Sequence, residues 1–218
     1  MKARVFVVDD HPIVRGGLAQ LINREADLQV CGEAADAATA FDGIETLKPD
    51  VAVVDLSLNG PDGLELVKNL RSRQIAVPIV ILSMHDESLY AERALRAGAR
   101  AYLMKQEATE QVLVALRRVL AGDIYVSDRM ASRLLGQMTS GRPSAGRSPL
   151  ECLSDRELEV FRSIGRGCGT RQIAEELHLS VKTVESYRMH IKEKLGLSSS
   201  VELVRCAIAW CVEADRPS

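Results

Sequence analysis

Short, uninterrupted apolar runs recur five times in the first 122 residues, and an apolar stripe at helical spacing follows each of them. The runs begin near residues 4, 28, 50, 78 and 100. The clearest is Val51-Ala52-Val53-Val54, whose lack of polar alternation is typical of a strand buried on both faces. Five strand–helix units in succession predict a parallel sheet with helices on both faces, and thus an α/β fold.

After residue 150 only helical spacing recurs, which predicts an all-α domain of four helices. Ser154 and Glu157 have the spacing of a capping box. Thr170 and Ser180 are the predicted caps of a short helix and of a longer helix from Val181 to about Leu195. The stripe of the fourth helix is Val201, Val204, Ile208 and Cys211. This arrangement is typical of a helix-turn-helix, although a plain four-helix interaction domain fits the pattern too.

The segment between the two parts loses the regular pattern. Residues 123–138 keep some apolar character and predict a helical or partly ordered extension. Residues 139–149 are rich in Gly, Ser and Pro, which predicts a flexible tether. The predicted organisation is therefore a first domain at 1–122, a linker at 123–150 and a second domain at 151–216.

Composition narrows the class of protein only a little. Apolar residues make up 46% and charged residues 27% of the chain, as in ordinary globular domains. The net charge of −2 gives no case for nucleic-acid binding by charge alone. Five cysteines without CxxC or zinc-ligand spacing indicate reduced thiols and a cytoplasmic location. No apolar run suggests a membrane span and no secretory signal opens the chain, so no membrane partner is expected.

Polar side chains follow four of the five predicted strands. Asp9 and Asp10 follow the first, Asp55 the third, Ser83 the fourth and Lys105 the fifth. Because the carboxyl ends of parallel strands share one edge of the sheet, these groups are expected to gather there. Carboxylates are ligands that Mg²⁺ prefers, and a carboxylate beside Mg²⁺ can attack phosphorus to give an acyl phosphate. Each residue alone has an ordinary structural explanation, but the complete set predicts a phosphoryl-transfer site.

With these residues in place, residues 1–122 resemble the receiver domain of two-component response regulators. The resemblance rests on Val7-Val8-Asp9-Asp10-His11, on Asp55 with Asp62-Gly63, on Leu82-Ser83-Met84-His85-Asp86, and on the run from Ala97 to Lys105. It implies a flavodoxin-like (βα)5 fold with parallel sheet order 2-1-3-4-5.

The receiver resemblance also implies a role for each site residue. Asp55 would be the phosphoacceptor, with Lys105 and Ser83 contacting the phosphoryl oxygens. The Mg²⁺ ligands would be Asp10, Asp55 and the Ser57 backbone carbonyl, with Asp9 acting through water. Ser83 and Tyr102 would form the switch pair, in which Tyr102 changes rotamer as Ser83 moves toward the phosphoryl group.

Two positions depart from the receiver pattern without touching these groups. The family often has a proline four residues after the phosphoacceptor, where this chain has Asn59. It also often has a proline directly after the lysine, where this chain has Gln106. The second departure argues against a cis peptide at that bond, because cis bonds are nearly confined to proline.

Residues 151–212 resemble the LuxR-type helix-turn-helix. The matching stretches are Leu153-Ser154-Asp155-Arg156-Glu157-Leu158-Glu159-Val160, Thr170-Arg171-Gln172-Ile173-Ala174, and Leu179 to Glu185 continuing to Gly196. The resemblance implies that the helix from Val181 to Leu195 contacts DNA and that the last helix, with Trp210, helps to dimerise the protein.

The candidate DNA contacts lie on that helix. They are Lys182, Thr183, Glu185, Ser186, Arg188, Met189 and Lys192. Glu185 could accept from a cytosine amino group, Ser186 could serve either base type, and Met189 could make an apolar contact. Lys182, Arg188, Lys192 and Lys194 are candidates for phosphate contacts. With 4 basic and 2 acidic residues in 182–194, one domain should bind weakly and two tethered copies much better.

Together the resemblances place nearly the whole chain among the NarL/FixJ-type response regulators. They imply a phosphorylation-controlled transcriptional regulator rather than an enzyme. A sensor histidine kinase would be the phosphodonor, and a homodimer, at least when phosphorylated, would bind double-stranded promoter DNA.

Two other functions fit parts of the sequence. One is a Mg²⁺-dependent phosphatase with an aspartyl-phosphate intermediate. Such enzymes of the haloacid-dehalogenase type carry a DxDx-type run after the first strand, which Asp9-Asp10-His11 does not match. The other is a DNA-binding protein whose first domain only dimerises, without phosphorylation, against which the complete acid–serine–lysine set argues.

Overall fold

The computed structural model describes residues 1–58, 63–84, 87–106, 108–139, 149–177 and 179–214. The chain divides into two compact units, Met1–Gly141 and Arg142–Ser218, which are described separately. Five parts of the sequence discussed above lie outside the described residues: Asn59, Asp62, His85, Asp86 and most of the predicted tether.

The first unit is built on a five-stranded parallel sheet. Its strands are β1 (Ala3–Val8), β2 (Leu28–Ala34), β3 (Val51–Asp55), β4 (Ile79–Ser83) and β5 (Ala101–Met104). The strand order is β2-β1-β3-β4-β5, which confirms the predicted order 2-1-3-4-5. Every residue of β3 is buried, as its uninterrupted apolar run predicts for the centre of such a sheet.

A helix follows each strand. These helices are α1 (Pro12–Asn23), α2 (Ala37–Leu47), α3 (Gly63–Ser72), α4 (Glu87–Ala97) and α5 (Ala108–Leu120). The helix predicted from Ala34 starts later, because β2 continues to Ala34 and Asp36 caps α2 by accepting from the Thr39 N–H at 2.8 Å. The Lys105–Gln106 peptide bond is trans, since the described residues contain no cis bond.

The apolar extension beyond α5 packs against the first unit. Tyr125 bridges the edge strand, donating its N–H to the Arg100 carbonyl and accepting from the Tyr102 N–H. A sixth helix, α6 (Asp128–Thr139), follows and buries Met130. Ser127 Oγ donates to Glu87 Oε1 at 2.7 Å and accepts from the Met130 N–H at 3.1 Å. The extension is thereby held both at β5 and at the first turn of α4.

The second unit contains a short 3₁₀ helix, Pro149–Cys152, and four α-helices: α7 (Asp155–Gly165), α8 (Thr170–Glu176), α9 (Val181–Leu195) and α10 (Ser200–Ala214). The predicted capping box is present, with Ser154 Oγ accepting from the Glu157 N–H and Glu157 Oε2 accepting from the Ser154 N–H. Ser180 caps α9 as predicted. Gly196 ends α9 in the left-handed conformation, at φ 66°, which glycine adopts without steric cost.

Two expectations about this unit are wrong. Thr170 does not cap α8, because Gly169 occupies the N-cap position and Thr170 is the first helical residue. The buried face of α10 holds Leu203 and Ala207; of the predicted stripe, Val204 and Cys211 are half-buried, whereas Val201 is 69% and Ile208 43% exposed. The helical spacing predicted the wrong buried face because α10 has apolar residues on more than one face. Periodicity alone does not show which of these faces packs against the rest of the domain.

Among the described residues, no single helix is both long enough and apolar enough to cross a membrane, and only α9 taken together with α10 up to Val212, a pair bent by 79°, passes that test.

Candidate functional site

The sheet register aligns the predicted site residues at one edge. Val8 pairs with Val54, so Asp9 follows β1 at the level where Asp55 ends β3. Asp55 in turn pairs with Leu82, which places Ser83 one position further along β4. The Lys105 N–H donates to the Ser83 carbonyl at 2.7 Å, which brings the end of β5 to the same edge. The predicted convergence of these strand ends is therefore present.

Lys105 joins the two most buried acids of this edge. Its Nζ lies 2.8 Å from Asp9 Oδ2 and 2.8 Å from Asp55 Oδ2. The Asp9 side chain is 1% and the Asp55 side chain 2% exposed. A lysine that bridges two buried carboxylates is positioned to contact an anionic group attached to either of them.

Backbone N–H groups fix the orientation of both carboxylates. The Ser57 N–H donates to Asp55 Oδ1 at 3.2 Å, and the His11 N–H donates to Asp9 Oδ1 at 2.8 Å. Gly63 approaches the end of β3 so closely that a Cβ there would overlap the Asp55 carbonyl oxygen. The absence of a side chain at Gly63 thus lets α3 begin directly beside the strand that carries Asp55.

The charges in the cluster shift its acid–base behaviour. Burial raises the pKa of the Asp55 carboxyl above its ordinary value and the Asp9 charge adds to this, although Lys105 opposes both. Burial alone would lower the pKa of the Lys105 amine, but the Asp55 and Asp9 carboxylates outweigh it and the pKa rises. Lys105 therefore stays cationic, while Asp55 would be helped to ionise by a further cation.

The donor set fits a hard divalent cation. Asp9, Asp10, His11 and Asp55 each place one ligand atom within 4.8 Å of the others. Asp10 Oδ1 is buried and accepts no hydrogen bond in the described part of the chain, although His11 Nδ1 lies 2.6 Å from it. A cluster of three carboxylates facing one lysine carries an excess of negative charge, which a divalent cation such as Mg²⁺ would offset.

His11 belongs to this cluster, although its sequence pattern predicts no separate role for it. It is the N-cap residue of α1, but its side chain does not cap that helix. The imidazole instead faces Asp10 and is largely exposed. The signal in the sequence that points to His11 is its position directly after Asp9-Asp10.

The predicted switch residues are both enclosed in the fold. Ser83 is fully buried and Tyr102 is 2% exposed. The Tyr102 N–H donates to the Tyr125 carbonyl, so the backbone of Tyr102 is tied to the extension that leads to α6.

In the second unit, α9 presents the predicted polar face to solvent. Val184 and Ile191 are buried, while Lys182, Glu185, Ser186 and Met189 are exposed and Arg188 and Lys192 are half-buried. A concavity of about 340 Å³ is lined by Lys182, Glu185, Ser186, Arg188, Met189, Lys192 and Ser200. Six of the seven candidate DNA-contact residues thus share one surface of this unit.

Two other candidates have different partners. The Thr183 N–H donates to Ser180 Oγ at 3.0 Å and the Thr183 hydroxyl lies 2.7 Å from the same atom, so Thr183 belongs to the cap of α9. Lys194 Nζ donates to the buried Glu157 at 2.6 Å. Lys194 is therefore engaged within its own domain rather than presented to a phosphate.

Comparison with known proteins accounts for both units. Residues 5–117 match the response regulator receiver domain, and residues 151–207 match the bacterial regulatory proteins of the luxR family. The chain belongs to the NarL/FixJ-type response regulators. It is a phosphorylation-controlled transcriptional regulator rather than an enzyme, so the phosphatase alternative does not apply.

Relatives and solved structures span most of this response regulator. The oxygen regulatory protein NreC of Staphylococcus aureus (strain MRSA252) is 38% identical over 209 residues, covering 94% of this chain and 96% of that protein. A LuxR-family two-component response regulator from Aurantimonas sp. SI85-9A1 is 37% identical, covering 64% of this chain and 99% of that one, with a TM-score of 0.59. RcsB from Salmonella enterica serovar Typhimurium, bound to promoter rprA in the presence of phosphomimetic BeF3-, is 27% identical, covering 94% and 98%, with a TM-score of 0.60.

Proposed function

We propose that Asp55 is the phosphoacceptor of this response regulator and that a sensor histidine kinase is its phosphodonor. The observation that carries the proposal is the bridge from Lys105 to both Asp55 and Asp9 at the shared edge of the sheet. An Asp55 carboxylate oxygen attacks the phosphorus of a phosphohistidine, forming an O–P bond as the P–N bond breaks and the imidazole leaves. Lys105 exchanges its contact with Asp55 for one with a phosphoryl oxygen.

Asp10, Asp55 and the Ser57 carbonyl would hold Mg²⁺, with Asp9 acting through water. When bound, the metal would offset the charge on the transferring phosphoryl group. The excess of carboxylates over cations in the cluster supports this assignment, as does the buried Asp10 oxygen that accepts no hydrogen bond in the described residues.

Phosphorylation then shifts the equilibrium of the receiver between two states. Ser83 moves toward the phosphoryl oxygen and Tyr102 changes rotamer with it. Support comes from the burial of both side chains, because a rotamer change of an enclosed tyrosine requires its neighbours to rearrange. The hydrogen bond from the Tyr102 N–H to Tyr125 connects this change to the extension before α6.

The phosphorylated protein binds promoter DNA as a homodimer, with α9 in the major groove. The polar face of α9 is exposed and its apolar face is buried, as groove insertion requires. Dimerisation through α10 is supported by the exposed apolar side chains of Val201, Ile208 and Val212. Trp210 contributes to dimerisation only indirectly, because its ring packs against the Phe161 ring of its own domain, with 6.1 Å between the ring centroids.

We place the protein in the cytoplasm, where a kinase phosphohistidine and promoter DNA are both accessible. None of the five cysteines, all of which lie in the described part of the chain, forms a disulfide bond, which fits a reducing compartment.

The proposal is tested by DNA binding and sedimentation of the full chain before and after treatment with acetyl phosphate and Mg²⁺. We expect dimerisation and tighter binding of a selected duplex only after treatment, and no response from Asp55→Asn. An equal response from Asp55→Asn would refute the assignment of the phosphoacceptor.

A further inference from the structure

A side-chain hydrogen bond links the two helices of the helix-turn-helix at its solvent-exposed face. Thr170 Oγ1, on the first residue of α8, donates to Glu185 Oε1 on α9 at 2.9 Å. Because Gly169 rather than Thr170 is the N-cap of α8, the Thr170 hydroxyl is not used as a capping acceptor. The sequence pattern predicted a cap at Thr170, so it gave no indication of this contact.

Glu185 differs from the neighbouring polar residues of α9 because its hydrogen-bond partner lies on another helix. Ser186 Oγ donates to the Lys182 carbonyl at 3.1 Å, and Thr183 is engaged by Ser180, so both hydroxyl groups bond within their own helix end. The Glu185 side chain, by contrast, is oriented from a neighbouring helix. An exposed glutamate that is already held loses less rotamer entropy when it contacts a ligand.

The held carboxylate can still accept further hydrogen bonds. A carboxylate has about four lone-pair sites, and Thr170 occupies one of them. Glu185 lines the concavity of α9 together with Met189 and Lys192, where a base edge would approach. In the major groove cytosine presents an N4 amino donor, whereas guanine presents the acceptors N7 and O6, which a carboxylate would repel.

We infer that Thr170 is a positioning residue that orients Glu185 to accept from a cytosine amino group, so that the two residues together set one base preference of each half-site. The inference rests on the proposed insertion of α9 into the major groove. It extends that proposal by naming cytosine as the preferred base and Thr170 of α8 as the residue that increases the preference.

The test is selection from a random duplex library by the full chain treated with acetyl phosphate and Mg²⁺. We expect the wild type to enrich cytosine at one position of each half-site, by roughly tenfold over the other bases. Glu185→Gln should move the preference at that position to adenine, which glutamine recognises. Thr170→Val, which removes the hydroxyl but keeps the shape, should lose most of the cytosine preference, whereas Thr170→Ser should keep it.

Two further measurements distinguish the proposed positioning role of Thr170 from a role in the stability of the domain alone. Trp210 is the single tryptophan of the chain and packs on Phe161, so its fluorescence reports unfolding of the second unit. We expect Thr170→Val and Thr170→Ser to unfold at the same temperature and to bind non-specific DNA equally well.

Two results would overturn the inference alone: an undiminished cytosine preference in Thr170→Val, or a uniform loss of affinity for all sequences. Failure of the phosphorylated wild type to select any sequence would overturn it together with the proposed function.

Discussion

The buried acid cluster predicts that Asp10→Asn stabilises the metal-free protein. Ligand atoms of Asp9, Asp10 and Asp55 lie within 4.8 Å of one another, and Lys105 contacts Asp9 and Asp55 at 2.8 Å. At an effective dielectric constant of about 20, two like charges at that separation repel by about 3.5 kcal/mol. Asp10 faces two such neighbours, which gives a gross repulsion on the order of 7 kcal/mol.

The net gain in stability should be smaller than this gross repulsion. Asparagine also loses attraction to Lys105 and the contact with His11 Nδ1 at 2.6 Å. We therefore expect about 1–3 kcal/mol of added stability, in the range of ordinary single substitutions. For the first unit, Met1–Gly141, that corresponds to an increase in Tm of roughly 3–10 °C.

Scanning calorimetry of the full chain in EDTA and in excess Mg²⁺ measures the melting temperature without and with the metal. Asp10→Asn should melt higher than the wild type in EDTA, whereas Mg²⁺ should raise the Tm of the wild type far more than that of the variant. Asp42→Asn removes one charge from an exposed position of α2 and should change neither value. A lower melting temperature of Asp10→Asn in EDTA would refute the claim that uncompensated repulsion is present in this cluster.

Two further predictions concern other parts of the molecule. Burial would raise the pKa of Glu157, but its bonds to Lys194 and Ser154 outweigh burial and lower that pKa in the folded state. The stabilising contribution of Glu157 is therefore present above the unfolded pKa of about 4.5, and it is lost as the pH falls through the lower folded pKa. Glu157→Gln should lower the stability of the second unit by about 2 kcal/mol near pH 7 and flatten its decline between pH 5 and 3, as followed by Trp210 fluorescence; an unchanged acid profile would contradict this. Ser127→Ala removes the cap of α6 and its bond to Glu87, so amide exchange in 128–136 should speed up about fivefold relative to α5, and equal exchange would show that this contact does not hold α6.

The sequence predicted the sheet and its polar edge well because both depend on local patterns with one geometric consequence. An uninterrupted apolar run such as β3 has no exposed face, so it belongs in the centre of a parallel sheet. Once the strands are parallel, Asp9, Asp55 and Lys105 must lie at one edge, and the observed contacts follow from that.

Features that depend on packing between helices were harder to predict. The predicted stripe of α10 has the same spacing as a buried face, and only the packing of α10 on α7 decides that Leu203 and Ala207 lie inside. The partner of Thr170 lies fifteen residues away on another helix, so no local signal identifies it. Lys194 resembles its basic neighbours in sequence, yet a buried carboxylate of α7 engages it.

The central claim, that Asp55 accepts the phosphoryl group, is tested most directly by the intact mass of the full chain after acetyl phosphate and Mg²⁺, with the modified peptide mapped. We expect one added phosphoryl group, on the peptide that contains Asp55, and none in Asp55→Asn. Uptake on another peptide, or the same uptake by Asp55→Asn, would contradict it.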